Sequence, residues 1–239
     1  MERKVALVTG VASGIGKKIA QELVDLGHIV YGIDINECDL RGGVSKKIDV
    51  TDENSVNDYI DNIVKKYEGL DFVVNAAGVI SKTKCFRLKE VPKDEWDMVM
   101  SVNLYGAFVL AKCCVGRINP YGCIINFSSE QVIQPNLKSV PYAISKNGIE
   151  MLNKVIAMEG KDNKVRSNVI ALGSVKTNFI KHMTDSEEAF IKKIVNTDQN
   201  MAFGIIEVED VWKCVRFVLF DALKMTGQTI LIDSGMTVN

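Results

Sequence analysis

The chain is expected to fold as an α/β protein with one doubly wound parallel sheet in a three-layer α/β/α single domain. Short β-branched runs alternate with longer helical stretches from one end to the other. Most of those runs are apolar on both faces, as a parallel sheet covered by helices on each side requires. A glycine-rich turn joins the first run to the first helix, where a right-handed βαβ unit would place it.

Val5–Thr9, Ile29–Asp34, Phe72–Asn75, Cys123–Phe127, Val165–Ala171 and Thr229–Asp233 read as strands, with a shorter one at Lys47–Asp49. Ile15–Leu26, Glu53–Tyr67, Asp94–Val115, Ile144–Met158 and Val208–Phe220 read as helices. Cys38–Lys46 is polar and glycine-containing and too short for a crossover helix, so a trimmed loop is expected there. The Asp94–Val115 and Ile144–Met158 helices are apolar nearly all round, which predicts packing against a second copy of the chain: a homo-oligomer, dimer or tetramer.

At 239 residues the chain can bury one full α/β core. A formal net charge of −1 leaves no electrostatic footprint for nucleic acid or an anionic membrane. No run of eighteen apolar residues is present, and Met1-Glu2-Arg3-Lys4 leads straight into a strand, so neither a signal peptide nor a membrane span is expected. The 6 cysteines show no C-x-x-C spacing and the 2 histidines lie far apart, which argues against a disulfide framework or a metal site. The expectation is a cytoplasmic protein with reduced thiols.

Thr9-Gly10-Val11-Ala12-Ser13-Gly14-Ile15-Gly16 follows the first strand and opens the first helix. Gly10 permits the tight turn, Gly14 lets backbone approach a diphosphate, and Gly16 lets helix and strand pack closely. The helix N-terminus offers free N–H groups to phosphates. Asp34 closes the second strand, where a carboxylate accepts from the adenosine ribose hydroxyls and repels a 2′-phosphate. Together these predict a Rossmann-type dinucleotide site that prefers NAD(H) to NADP(H). Asp34 could alternatively cap the turn at Ile35-Asn36.

Tyr142-Ala-Ile-Ser-Lys146 sets a phenol and an ammonium four residues apart on one helix face. A neighbouring Lys⁺ favours the phenolate, so the spacing predicts a tyrosine with a lowered pKa.

With these motifs the chain resembles the short-chain dehydrogenase/reductase family, in its single-domain branch, over essentially its whole length. The branch's glycine pattern stands at Thr9–Gly16, its Asp-Val pair at Asp49-Val50, and its Asn-x-Ala-Gly stretch at Asn75-Ala76-Ala77-Gly78. Its helix asparagine matches Asn103, its serine Ser129, and its Tyr-x-x-x-Lys pair Tyr142 and Lys146. The resemblance implies catalytic roles for Asn103, Ser129, Tyr142 and Lys146. Tyr142 would be the general acid or base and Ser129 the stabiliser of charge on the carbonyl oxygen. Lys146 would tune the phenol and bind the nicotinamide ribose, and Asn103 would hold a water linking Lys146 to solvent. Cofactor contacts would come from Gly10, Ser13, Gly14, Ile15 and Gly16, from Asp34, Asp49 and Val50, from Asn75, Ala76 and Gly78, from Tyr142 and Lys146, and from Val175 and Thr177. Leu172 stands where the family has proline, which would loosen that turn, and Asp233-Ser234-Gly235 replaces the usual Asp-Gly-Gly.

The implied reaction is NAD-dependent interconversion of a secondary alcohol and a ketone. Ser129, Gln131 and Tyr142 are the candidate substrate residues, under a lid over residues 178–206. Glu130, Gln131, Gln134 and Asn136 make the neighbourhood of Ser129 polar, which favours a small hydroxylated substrate such as a sugar derivative, polyol, hydroxy acid or cyclic alcohol. A 3-oxoacyl thioester reductase and a cofactor-sensing protein without catalysis are the competing readings.

Overall fold

The polar groups of seven strand backbones find their partners in one parallel sheet. In the computed structural model, which describes residues 2–80, 87–135, 139–177, 189, 192, 196 and 201–238, the strand order is β3-β2-β1-β4-β5-β6-β7. The strands are β1 (Val5–Thr9), β2 (Ile29–Asp34), β3 (Val44–Lys47), β4 (Leu70–Asn75), β5 (Ile118–Ser129), β6 (Arg166–Leu172) and β7 (Thr229–Ile232). The order reverses between β1 and β4. In such sheets the crevice beyond the carboxyl ends of the strands at that point is where ligands bind.

Helices cover both faces. On one, α1 (Gly14–Asp25) buries Ile19, Ala20 and Leu23, and α6 (Val208–Arg216) buries Val211, Trp212 and Val215, against Ala6, Val8, Phe72 and Ile125. On the other, α2 (Glu53–Tyr67) buries Val56, Tyr59, Ile60 and Ile63, and α4 (Gly106–Cys114) buries Val109, Leu110 and Cys113, against Leu7, Ile33, Val73 and Ile124. The i, i+3, i+4, i+7 spacing on α2 is why that segment is a helix rather than a strand. Asp52 caps it by accepting from the Ser55 amide, and Glu68 ends it in the left-handed region at φ 65°.

The structure differs from the sequence reading most in five segments. The strand expected over Cys123–Phe127 is the longer β5, Ile118–Ser129, which goes on pairing with β6 through Ser128↔Ala171 and Ser129↔Leu172. The short third strand is Val44–Lys47, not Lys47–Asp49, because it pairs in register with β2 from Tyr31↔Val44 to Asp34↔Lys47 and ends with it. It is the edge strand, and its exposed lysines suit that place. The single helix expected over 94–115 is α3 (Lys93–Val99), a π-helical stretch Met100–Tyr105, then α4, with the Gly106 amide reaching back to the Ser101 carbonyl. A second π-helical stretch, Phe217–Asp221, ends the helix expected over 208–220. The helix expected from Ile144 begins earlier: α5 runs Val140–Glu159, with Pro141 in its first turn, where a missing N–H costs nothing.

Among the described residues, one helical run, Lys93–Cys114, is long and apolar enough by composition to cross a membrane, although no run of eighteen apolar residues occurs in the sequence. Its apolar residues have a protein destination: α4 packs against β4 and α5, and half of the apolar window is buried inside the protein.

Candidate active site

The site is built at the carboxyl ends of β1, β2, β4, β5 and β6, by residues that leave the sheet where pairing stops. Gly10 turns the chain out of β1 at φ 73°, its N–H bonded to the Ile33 carbonyl at 2.9 Å. A Cβ on Gly10 would lie 2.8 Å from the Ala76 oxygen, and one on Gly16 only 2.3 Å from the Gly10 oxygen. Side chains at either position would force β1, α1 and the β4 exit apart. Ser13 is the N-cap residue of α1 but its side chain caps nothing, so the first-turn amides are left for a ligand. No acidic residue occupies that turn. The cradle therefore fits the diphosphate of a dinucleotide.

Asp34 stands at the end of β2, facing this loop. Its Oδ2 accepts from the Ala12 amide at 3.0 Å, while Oδ1 accepts from the Asn36 amide at 2.8 Å. Both readings of Asp34 thus coexist, a turn cap and a carboxylate anchored beside the glycine loop. An ionised carboxylate has about four acceptor sites, so capacity remains for ribose hydroxyls. The loop 173–177 closes the same cleft from β6: the Thr177 side chain lies 3.5 Å from where a Gly14 Cβ would stand. Val175 is buried and bridges to Ile206. Leu172 does not loosen this turn. It continues β6 by pairing with Ser129 and Ile232, and the Gly173 amide goes on to the Ile232 carbonyl at 2.8 Å. Ser234 adopts φ 51°, a conformation glycine takes without strain, so the departure from Asp-Gly-Gly is accommodated at a cost of about 1–2 kcal/mol.

Several assigned residues do other work with their side chains. Asn75 is buried and ties three strands together: its Oδ1 accepts from Thr9 Oγ1 at 3.0 Å, and its Nδ2 donates to Asn126 Oδ1 at 3.1 Å. Thr9 Oγ1, which the sequence reading did not single out, also accepts from the Ala77 amide at 2.9 Å and so fixes the path of Ala76–Gly78. Asp49 is exposed and accepts from the Thr51 amide and hydroxyl, while Val50 is buried against Gly106.

The structure brings Asn103, Ser129, Tyr142 and Lys146 together. Asn103 sits in the π-helical stretch, 1 % exposed, and its amide is committed: Oδ1 accepts from the Val79 amide, and Nδ2 donates to the Val79 carbonyl and Ser145 Oγ. It clamps the β4 exit to α5. Tyr142 and Lys146 lie one turn apart on α5, with the Lys146 Nζ 5.4 Å from the phenol ring centroid. Lys146 is buried and donates to the Phe127 carbonyl at 3.0 Å. Ser129, at the end of β5, acts on the Tyr142 phenol, and its hydroxyl donates to Glu130 Oε2 at 2.6 Å. Gln131 is held by Ser139, which donates to its Oε1; Gln134 is exposed, and Asn136 lies outside the described residues. So does most of the expected lid over 178–206, including His182, Met183 and Phe190.

The electrostatics differ from the simple expectation that Lys146 lowers the phenol. Burial raises the Tyr142 pKa, the Glu130 carboxylate raises it further, and the Ser129 hydroxyl only opposes them. Lys146 is itself pushed down to about 8 by burial. Glu130 is raised by burial and by Asp233, against the Ser129 hydrogen bond. Three titratable groups held away from their ordinary values in one cleft mark the place where proton transfer can be done.

Fold and side-chain set together define an oxidoreductase built around a nicotinamide dinucleotide. A family model described as Enoyl-(Acyl carrier protein) reductase matches residues 10–237. An NAD-dependent glycerol dehydrogenase of Listeria innocua is 30% identical, over 98% of this chain and 94% of its own. A 3-oxoacyl-(acyl-carrier-protein) reductase of Thermotoga maritima is 31% identical, over 100% of this chain and 99% of its own. The structure of Thermoplasma acidophilum aldohexose dehydrogenase superposes with a TM-score of 0.92 at 26% identity, covering 100% of this chain and 95% of that one. The chain belongs to the short-chain dehydrogenase/reductase family.

Proposed function

We propose that the protein is an NAD(H)-dependent dehydrogenase that interconverts a secondary alcohol and a ketone on a small, hydroxylated substrate. The observation that carries the reaction is the cluster in which the Tyr142 phenol, perturbed by the Ser129 hydroxyl, stands one helical turn from the Lys146 amine. In the oxidative direction Tyr142 takes the alcohol proton, and Ser129 steadies the charge on the reacting oxygen. Lys146 supplies positive charge beside the phenol, and Asn103 holds the wall of the cleft through Val79. A bound nicotinamide dinucleotide supplies the hydride chemistry. A pure cofactor sensor would have no chemical need for all four side chains. A cytoplasmic setting suits the five described cysteines, all free thiols.

Asp34 supports NAD as the cofactor, because a 2′-phosphate would meet a fixed carboxylate. Asp34→Ala should raise the ratio of NADPH to NADH in kcat/KM by at least about tenfold. A wild-type enzyme that already prefers NADPH would overturn the assignment. The thioester reading is the alternative, supported by the 31% identity to the Thermotoga reductase. NAD⁺ reduction with polyols and sugars, set beside NADH oxidation with acetoacetyl thioesters, separates the two.

The active form we propose is a homo-oligomer, dimer or tetramer. Ile144, Met151, Val155 and Met158 form an exposed apolar stripe on α5, and Tyr105 and Phe108 are exposed on the neighbouring helix. Between them lies a groove of about 550 Å³ floored by Leu104 and Leu152. An apolar face of this extent flanking a core helix suits a second copy of itself. Light scattering should give a multiple of the 26.4 kDa chain mass, and Phe108→Glu with Met151→Glu should reduce it to one. A monomeric wild type would remove the proposal.

A further inference from the structure

We infer that Glu130 is a specificity-determining residue: its carboxylate, hydrogen bonded to the Ser129 hydroxyl, accepts a hydrogen bond from a substrate hydroxyl on the carbon next to the one oxidised, so that the enzyme takes vicinal diols and turns away carboxylates. The inference rests on the dehydrogenase reading above and deepens it.

The placement is set by backbone. Ser129 ends β5 and Glu130 opens the short turn 130–132, whose shape is fixed by the Ile133 and Gln134 amides donating to the Glu130 carbonyl at 2.9 and 3.0 Å. Two consecutive side chains therefore meet, Ser129 Oγ on Glu130 Oε2 at 2.6 Å. Ser129 and the carboxylate both act on the Tyr142 phenol, so the carboxylate stands near the group that handles the proton and its charge is felt there.

That carboxylate is half-buried, and the nearby Asp233 adds a second negative charge rather than a compensating one. An ionised carboxylate is acceptor-only with about four sites, of which Ser129 takes one. What completes such a group is a donor brought by the ligand. A hydroxyl one carbon along from the alcohol held by Ser129 and Tyr142 arrives beside the residue that follows Ser129. A carboxylate in place of that hydroxyl-bearing carbon would bring a third negative charge into a partly dehydrated cleft, where like charges repel strongly. A 3-oxoacyl thioester offers only acceptors along the same path.

The test compares full-chain wild type and Glu130→Gln, with NAD⁺, on three matched alcohols: butane-2,3-diol, butan-2-ol and 2-hydroxybutanoate. Wild type should favour the diol over the simple alcohol by at least about tenfold in kcat/KM, with KM carrying most of the difference, and disfavour the hydroxy acid. In Glu130→Gln the diol-to-butanol ratio should fall about tenfold and the acid-to-butanol ratio should rise about tenfold. A Glu130 that only supports Ser129 would lower all three alike, and unchanged ratios overturn the inference. Should the Gln variant fail to fold, as judged by its thermal melt, Glu130→Ser is read in the same way. A wild type that binds NADH yet oxidises none of the three overturns the dehydrogenase reading and this inference with it; equal use of diol and butanol overturns this inference alone.

Discussion

Tyr142→Phe should lower kcat for alcohol oxidation by about 10²–10⁴-fold while NADH affinity stays within about threefold of wild type. The substitution removes one hydroxyl and keeps the ring beside Lys146, so what is lost is the proton acceptor. Burial and Glu130 hold the phenol's pKa up, so in the free enzyme the tyrosine is a phenol throughout the neutral range. Oxidation needs the phenolate, and wild-type turnover in that direction should therefore climb with pH, whereas reduction, which needs the protonated form, should not. Lys146, at about 8, loses its charge as pH rises through that value, which flattens the climb by withdrawing the cation that steadies a phenolate. Turnover assays across pH, with NADH fluorescence titration of the variant, read both parts. Tyr142→Phe retaining a tenth or more of wild-type turnover would remove Tyr142 as the acid–base group, whatever else the cleft contains.

How far this site could be read in advance depends on how local each interaction is. Tyr142 and Lys146 share a helix turn, so their spacing shows them side by side, and Gly10, Gly14 and Gly16 share one turn of chain with the same effect. The strands buried on both faces were legible because burial demands continuous apolar runs, as in β1 and β4. The edge strand β3 carried no such run. Its sequence Val-Ser-Lys-Lys is mostly exposed, and its bounds follow only from its register with β2. The π-helical stretch at Met100–Tyr105 has the composition of any apolar helix, so nothing in the residues announces the wider turn that carries Asn103. Long-range polar contacts were also invisible. Thr9, Asn75 and Asn126 meet across 66 and 51 residues of chain, and only the sheet order makes Asn75 a strand tie. The rise in the Tyr142 pKa belongs to the same class. It comes from burial and from Glu130, whose distance in sequence hides that its charge reaches the phenol. Glu130 itself left one signal, its adjacency to Ser129.

Gly16→Ala should melt the first βα unit away from its place and cost the enzyme its dinucleotide. The added methyl would lie 2.3 Å from the Gly10 oxygen and 2.7 Å from the Thr9 oxygen, distances at which backbone atoms must move. Neither partner has room to yield. Gly10 is pinned by its bond to the Ile33 carbonyl, and the position its own Cβ would take is already blocked by the Ala76 carbonyl. The helix must therefore back off β1, which disturbs the packing of Ile19, Ala20 and Leu23 and turns the first-turn amides away from the crevice. Overpacking of this kind costs about 1–3 kcal/mol, occasionally more. For a chain of this length that is a fall in Tm of roughly 2–12 °C. The NADH Kd should rise at least about tenfold, because the amide cradle is what the diphosphate reads. Gly27→Ala is the comparison: its Cβ meets nothing within 4 Å, and its φ of 85° imposes only a local backbone penalty of about 1–2 kcal/mol. It should lower Tm without weakening NADH. If Gly16→Ala matched it, losing stability but holding NADH as tightly as wild type, the close approach of α1 to β1 would be a packing feature and the cofactor cradle would have to be sought elsewhere in the cleft.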